Sequence, residues 1–365
     1  QREGERERNC GGSISSVSLW RVRMPNMLPS LGASRSHLQA SCYTPTPSLS
    51  APMFPRRRSF LSPSAELDKG DSSSVATQDP PASSSFKVPD PQRFSVRSDK
   101  LLDILGCSLA LPFRLGSGAL AQGYKASWVP ESEFPSESYS SFSIAGRKLL
   151  ETSSLGPRPT QPIEIYEFEG CPFCRKVREI VSILDLDVLY YPCPKDGPNF
   201  RPKAIQLGGK KQFPYMVDPN TGVSMYESDE IIKYLVEKYG NGKVPWLLSL
   251  GILTTLTAGF AMIARMGKGS TYVPAKLPEK PLELWAYEAS PFCKIVREVM
   301  VELELPHIYH STPRGSSKRF DLFKQTGHFQ APYLEDPNTG VKMFESAYII
   351  EYLQQTYALP KAGSS

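Results

Sequence analysis

The chain has 365 residues, 40% of them hydrophobic, with a formal net charge of +5. That length allows two or three ordinary domains and the apolar share is enough for a core. The basic residues are scattered rather than clustered, which excludes a nucleic-acid footprint. Seven cysteines in this length do not make a disulfide scaffold, and only Cys171 and Cys174 sit close together, a pattern of redox chemistry in a reducing compartment.

Residues 1–95 are expected to be disordered. The chain opens on Gln1, and the run Arg2-Glu3-Gly4-Glu5-Arg6-Glu7-Arg8 reads as a translated leader, which moves the expected start to Met24 or Met27. No Asp or Glu occurs from Asn9 to Ala65, a stretch rich in Ser and Pro that includes Arg56-Arg57-Arg58. Low acidity with Ser and Arg is the composition of an organelle transit peptide, and the Ser and Pro richness points to the chloroplast. A merely disordered tail has much the same composition. Residues 96–160 are expected to form a helical preface around Leu101–Leu111.

Residues 161–240 read as a first α/β module. Ile163–Phe168 alternates like a strand, and Pro172 opens a helix with Val177, Ile180, Val181 and Leu184 at helical spacing. Strands at Val188–Tyr191, Tyr215–Val217 and Val223–Tyr226, a short helix before Gly209 and a helix from Ser228 complete a β-α-β-α-β-β-α order. Residues 241–280 form a linker. Within it Pro245–Ala264 carries no charge over 20 residues, which is long enough to span a bilayer but only moderately apolar. It reads either as a membrane helix or as a buried helix between domains.

Residues 281–358 repeat the module. Cys171-Pro172-Phe173-Cys174 returns 119 residues later as Ser290-Pro291-Phe292-Cys293, and Asp218-Pro219-Asn220-Thr221-Gly222 returns 118 residues later as Asp336-Pro337-Asn338-Thr339-Gly340. One copy has a dithiol; the other has a serine and a thiol.

Cys171 is expected at the amino-terminal end of a helix, where free N–H groups and the helix dipole favour a thiolate, with Arg175, Lys176 and Arg178 adding positive charge. Cys174, one turn on, is shielded. The pair fits an attacking and a resolving thiol. Two inert cysteines, or part of a metal clip, would carry the same spacing, but the module has no second pair for a four-cysteine zinc site.

The β-α-β-α-β-β-α order, with CxxC at the first strand-to-helix turn and Phe213-Pro214 before the third strand, resembles the thioredoxin fold of glutaredoxins. Glu227-Ser228 at the start of the last helix, repeated as Glu345-Ser346, is still more similar to the amino-terminal domain of glutathione transferases. The resemblance covers about 80 residues twice. Neither copy is followed by the all-helical domain that completes a transferase. The resemblance implies two tandem thioredoxin-like domains and glutathione as co-substrate, with glutathionylated or disulfide proteins as partners. It makes Cys171 and Cys174 the catalytic thiols and implies cis peptide bonds at Phe213-Pro214 and Ala331-Pro332, whose preceding backbone pairs with the cysteinyl part of glutathione. Glu227 and Ser228, with Glu345 and Ser346, would hold the γ-glutamyl end, and Lys210, Lys211 and Gln212 would reach the glycyl carboxylate. An iron–sulfur cluster shared by two subunits is a minority possibility in glutaredoxins. Ser290 matches the serine of plant transferases, which lowers the pKa of the glutathione thiol; as a simple helix cap it would look the same. The resulting expectation is a plastid glutathione-dependent thiol–disulfide oxidoreductase. The alternatives are glutathione conjugation through Ser290 and a non-catalytic glutathione-binding or scaffold protein at a plastid membrane.

Overall fold

The computed structural model describes residues 86–92 and 95–360. The expected transit segment, the alternative start sites and the Arg56–Arg58 cluster lie outside the described residues.

In the first module, β4 (Ile163–Glu167) lies between β5 (Asp187–Pro192), which is parallel to it, and β6 (Tyr215–Asp218), which is antiparallel; β7 (Val223–Met225) adds to β6. The second module repeats this with β8 (Leu282–Ala286), β9 (His307–Ser311), β10 (Tyr333–Glu335) and β11 (Lys342–Met343). Alternation along β4 decides what packs where. Ile163 and Ile165 join the main core with Val177, Ile180 and Val181 of α3 (Pro172–Ile183) and with Ile231 and Leu235 of α5 (Ser228–Tyr239). Tyr166 instead clusters with Tyr215 and with Ala204 of α4 (Phe200–Gly208). In the second module α7 (Pro291–Glu302) and α9 (Ser346–Tyr357) repeat the first arrangement, and Leu322 of α8 (Lys318–Thr326) the second.

The repeated turns hold their helices in the same way. Asp218 accepts hydrogen bonds from Tyr234 and Tyr239 at 2.6 Å each. Asp336 accepts from Tyr352 at 2.6 Å and Tyr357 at 2.5 Å.

The two modules are not beads on a linker. Edge strands β5 and β9 pair antiparallel, Asp187 opposite His310 through Tyr190 opposite His307, so eight strands form one continuous sheet in the order β11-β10-β8-β9-β5-β4-β6-β7. Beneath this seam α3 and α7 meet through buried ion pairs related by the repeat. Arg178 bonds Glu167 and, at 3.2 Å, Glu288 of the other module. Arg297 bonds Glu288 at 2.7 Å and Glu169 at 3.2 Å, and Lys294 bonds Glu169 at 2.7 Å. Burying so many charges is tolerable only because each has partners at hydrogen-bond distance.

The preface departs from expectation. It begins with helices, α1 (Leu101–Ser108) and α2 (Ala110–Arg114), but then forms a three-stranded antiparallel sheet of β1 (Lys125–Pro130), β2 (Ser143–Ile144) and β3 (Arg147–Thr152). A two-residue turn joins β2 to β3, with Ala145 at φ 50° and Gly146 at φ 71°. Positive φ at both central residues is what a tight hairpin needs, and a β-competent sequence on each side does the rest. The expected disorder up to residue 95 also ends too late: the ring of Phe86 packs edge-on against Tyr352 at 5.3 Å.

The apolar linker is not one 20-residue helix. A 3-10 turn at Trp246–Leu248 and Gly251, at φ 58°, precede α6 (Ile252–Phe260), and a second 3-10 turn follows at Ile263–Arg265. Among the described residues no helix is long and apolar enough to cross a membrane.

The linker also discloses a wider repeat. Arg114-Leu115-Gly116-Ser117-Gly118 after α2 matches Arg265-Met266-Gly267-Lys268-Gly269 after α6. Leu115 and Met266 both adopt positive φ, at 47° and 50°. Arg114 pairs with Glu179 at 2.6 Å and Arg265 with Glu298 at 2.7 Å, so each guanidinium is buried on the helix of the module that follows it.

Candidate functional site

Cys171 is the N-cap of α3: its sulfur accepts the Cys174 backbone N–H at 3.3 Å. Pro172 removes a donor that the first helical turn does not need. The hydrogen bond from the Cys174 thiol, reinforced by that N–H and opposed by burial, brings the Cys171 thiol below its ordinary value. Burial, and then the neighbouring Cys171 sulfur, push Cys174 well above it. Both cysteines are free thiols.

The charge next to these thiols differs from the expectation. Arg175, Lys176 and Arg178 are buried and neutralised. Arg175 pairs with Glu179 at 3.1 Å, Lys176 with Asp229 at 2.5 Å, and Arg178 with the glutamates of the seam. Arg178 still lowers Cys171, but less than the hydrogen bonds do, and Glu167 opposes it. Burial raises the Glu167 carboxyl to about 7 despite Arg178.

A groove of about 430 Å³ opens at Cys171, lined by Phe168, Arg201, Lys211, Gln212, Phe213, Glu227 and Ser228, among others. It therefore gathers Cys171, Phe213, Glu227 and Ser228 in one place. The Phe213-Pro214 bond is cis, and the Phe213 carbonyl lies 4.0 Å from the Cys171 sulfur. Glu227 sits at φ 67° immediately before α5, whose first turn has no side-chain cap, so its N–H groups are available to an anion. Gln212 donates to the Glu227 carboxylate at 2.5 Å. Lys210 lies over the Tyr226 ring at 5.8 Å rather than in the groove.

Arg201 was not foreseen. Its guanidinium lies over Phe213 at 4.7 Å and Phe168 at 5.5 Å, fixed by a 2.8 Å hydrogen bond to the Pro194 carbonyl. Arg319 occupies the equivalent place, over Phe329 at 4.6 Å and bonded to the Pro313 carbonyl at 3.0 Å. The signal was the recurrence of an arginine 118 residues on, at the spacing of the repeated turns.

Ser290 repeats the cap of Cys171, accepting the Cys293 N–H at 3.3 Å. Burial raises the Cys293 thiol. The Ala331-Pro332 bond is also cis, and Glu345 also has positive φ, 70°. The second groove, however, is built differently. The backbone N–H of Gln92 bonds the Glu345 carboxylate at 2.7 Å, and Asp90, Gln92, Ser95, Val96 and Arg97 line the start of α9. On the other side Tyr139 of the preface packs against Phe323 and Phe329. The result is a pocket of about 440 Å³ lined by Phe142, Tyr287, Ser290, Phe292, Arg314 and Phe329, among others. His307 is buried, where burial lowers its pKa to about 4, and His310 lies in the seam.

Among the described residues no cluster of three or more His, Cys, Asp or Glu side chains is arranged to hold a metal ion. Of the two thiols Cys171, 5% exposed, lines the first groove, whereas Cys174 is 1% exposed and does not. An iron–sulfur cluster would therefore need a second copy of the groove.

Strand order, crossover helices and a cap-held thiol or hydroxyl opposite a cis peptide define two thioredoxin-like domains in tandem. Residues 165–243 and 284–361 each match the family model of the glutathione S-transferase N-terminal domain. No curated protein matches the chain. Among solved structures, Leishmania TDR1, described as a unique trimeric glutathione transferase, is similar over 56% of this chain and 68% of its own, at 12% identity and a TM-score of 0.21. A likeness that distant carries none of the argument.

Proposed function

We propose that the protein is a glutathione-linked thiol–disulfide oxidoreductase acting through Cys171. The single observation that supports this best is a thiol of lowered pKa lining the first groove, capped by the α3 N–H at 3.3 Å and 4.0 Å from the Phe213 carbonyl. In the proposed reaction the Cys171 thiolate attacks the glutathione sulfur of a glutathionylated protein. A new Cys171–glutathione disulfide forms, the old disulfide breaks, and the protein leaves as a thiolate that takes up a proton. A second glutathione thiolate then attacks the bound glutathione sulfur, releasing oxidised glutathione and the Cys171 thiolate. Alternatively Cys174 attacks the Cys171 sulfur and expels reduced glutathione, leaving an intramolecular disulfide. Glutathione is the reductant in both routes. Within the groove, the first turn of α5 and Arg201 suit its two carboxylates and the Glu227 carboxylate suits its ammonium group.

The test is pH-dependent alkylation of Cys171 together with turnover of a glutathionylated peptide. Alkylation with a midpoint below that of a free cysteine, and loss of turnover in Cys171→Ser, are expected. Full turnover in Cys171→Ser overturns the assignment. The composition of the amino-terminal segment supports a plastid location, testable by following a fluorescent fusion of the full-length protein.

Conjugation through Ser290 is the second reading. The aromatic pocket behind that hydroxyl favours it, whereas the Gln92 amide on Glu345 counts against glutathione there. Conjugation of chlorodinitrobenzene that is lost in Ser290→Ala would establish it.

A further inference from the structure

The exposed apolar side chains are concentrated in one place. Of the 26 large hydrophobic residues exposed among the described residues, 15 lie in 101–115 and 246–266, two segments more than 130 residues apart. The helices they form touch: α2 packs on α6, with the rings of Phe113 and Phe260 5.9 Å apart. The two segments thus make one continuous face.

These helices are apolar on both sides. In α6 and the turn after it, Thr254, Ala258, Ala261 and Met262 are buried, whereas Ile252 is 80% exposed, Leu256 50% and Ile263 66%. In α1, Ile104 and Cys107 are buried while Leu102 is 81% exposed. A surface helix of a soluble domain normally turns a polar stripe outward. Patches of this kind mark a surface that is covered by something.

The charge around the face indicates what covers it. Residues 244–264 contain no ionisable group, and Lys243 and Lys268 lie at the two ends. Asp103, on α1 itself, pairs with Lys268 at 2.6 Å and Arg265 at 3.0 Å, and Asp229, beside α6, pairs with Lys176 at 2.5 Å. Trp246, 63% exposed, follows Lys243 by three residues. An apolar helical surface with lysines and a tryptophan at its margin complements an anionic lipid headgroup layer over acyl chains. A protein partner would be expected to meet charges of both signs at the rim.

We infer that the face formed by α1, α2 and α6 docks the protein on the surface of an anionic lipid bilayer, without crossing it. Of the two readings of Pro245–Ala264, a single spanning helix does not fit: those residues form α6 between two 3-10 turns, and α1 and α2 of the preface pack beside them. The inference does not depend on glutathione chemistry at Cys171.

The test is co-sedimentation of the full chain with vesicles of phosphatidylcholine alone or mixed with phosphatidylglycerol. Binding to the mixed vesicles is expected, weaker but still present in high salt, because screening removes only the lysine contribution. The double variant Ile252→Glu/Leu256→Glu replaces two exposed side chains and should cut binding by about tenfold or more. Its Cys171 alkylation profile should be unchanged, which reports that the fold is intact. Wild-type protein left in the supernatant overturns the proposal, as does equal binding by the double variant. Light scattering that shows a dimer broken by the same substitutions also overturns it, and assigns the face to a second copy of the chain.

Discussion

The two modules share strand order, a capped residue at the first helical turn, a cis peptide opposite it and an arginine lying on aromatic rings, yet they present different sites. The first offers an open groove beside a thiol. The second offers a hydroxyl in a pocket lined by Tyr139 and Phe142 of the preface and by Ser95, with Gln92, Val96 and Arg97 at the start of α9. The difference arises less from the repeated cores than from what the unrepeated segments cover. Gln92 illustrates this: its amide meets Glu345, while the equivalent Glu227 faces the open groove. Two copies of one core can thus present different sites through a single change at the cap and a wall acquired from elsewhere in the chain.

The largest effect expected is the one that breaks this comparison outright. Cys171→Ser should abolish reduction of a glutathionylated peptide, and Cys174→Ser should leave partial turnover through the route that uses a second glutathione. Adding Ser290→Cys to Cys171→Ser rebuilds a dithiol in the second module. Turnover should stay at the background level, because the Glu345 carboxylate of that groove already meets the Gln92 amide. Recovery of activity would show that the cap residue alone separates the two modules.

A second substitution asks whether the modules stand alone. Arg178→Met should destabilise the whole protein by about 3–5 kcal/mol, because Glu167 and Glu288 would be left as buried carboxylates with a partner missing. Chemical unfolding should remain a single transition if the shared sheet and core couple the modules. Two transitions would show that they unfold separately.

Most of each module was legible in the sequence because its signals are local. Strand alternation at Ile163–Glu167, proline at the start of α3 and α7 and the repeated Asp-Pro-Asn-Thr-Gly turn each specify structure within a few residues. The seam was not legible, because β5 and β9 look like ordinary edge strands and their pairing is decided by residues about 120 positions apart. Arg175, Lys176 and Arg178 misled for the same reason: their carboxylate partners lie on other elements, so spacing alone placed their charge near Cys171. The β1–β3 sheet was missed because weak alternation and one hairpin turn do not outweigh the apolar helix before them. The Arg-x-Gly-x-Gly repeat lies outside the modules and is too short to stand out there by itself.

The smallest effect expected lies in the seam itself and depends on pH. His310 of the second module bonds Asp187 of the first through Nδ1 and Glu283 through Nε2, each at 3.2 Å. Burial lowers its pKa, but the two carboxylates outweigh burial and hold it above the ordinary value of 6.5. Asp187 responds in the opposite sense: burial raises it, and His310 and Lys318 overcome that and bring it to about 2. A histidine raised in the folded state contributes stability that is fully present below pH 6.5 and is lost as pH rises through the folded value. Asp187, lowered in the folded state, contributes above its unfolded value near 3.8 and loses that contribution as pH falls towards 2. Stability from this pair should therefore be greatest between about pH 4 and 6.5. His310→Gln should flatten the alkaline side of that window while leaving alkylation of Cys171 unchanged. An unaltered stability profile in the variant would mean that the pair adds nothing to the join between the modules.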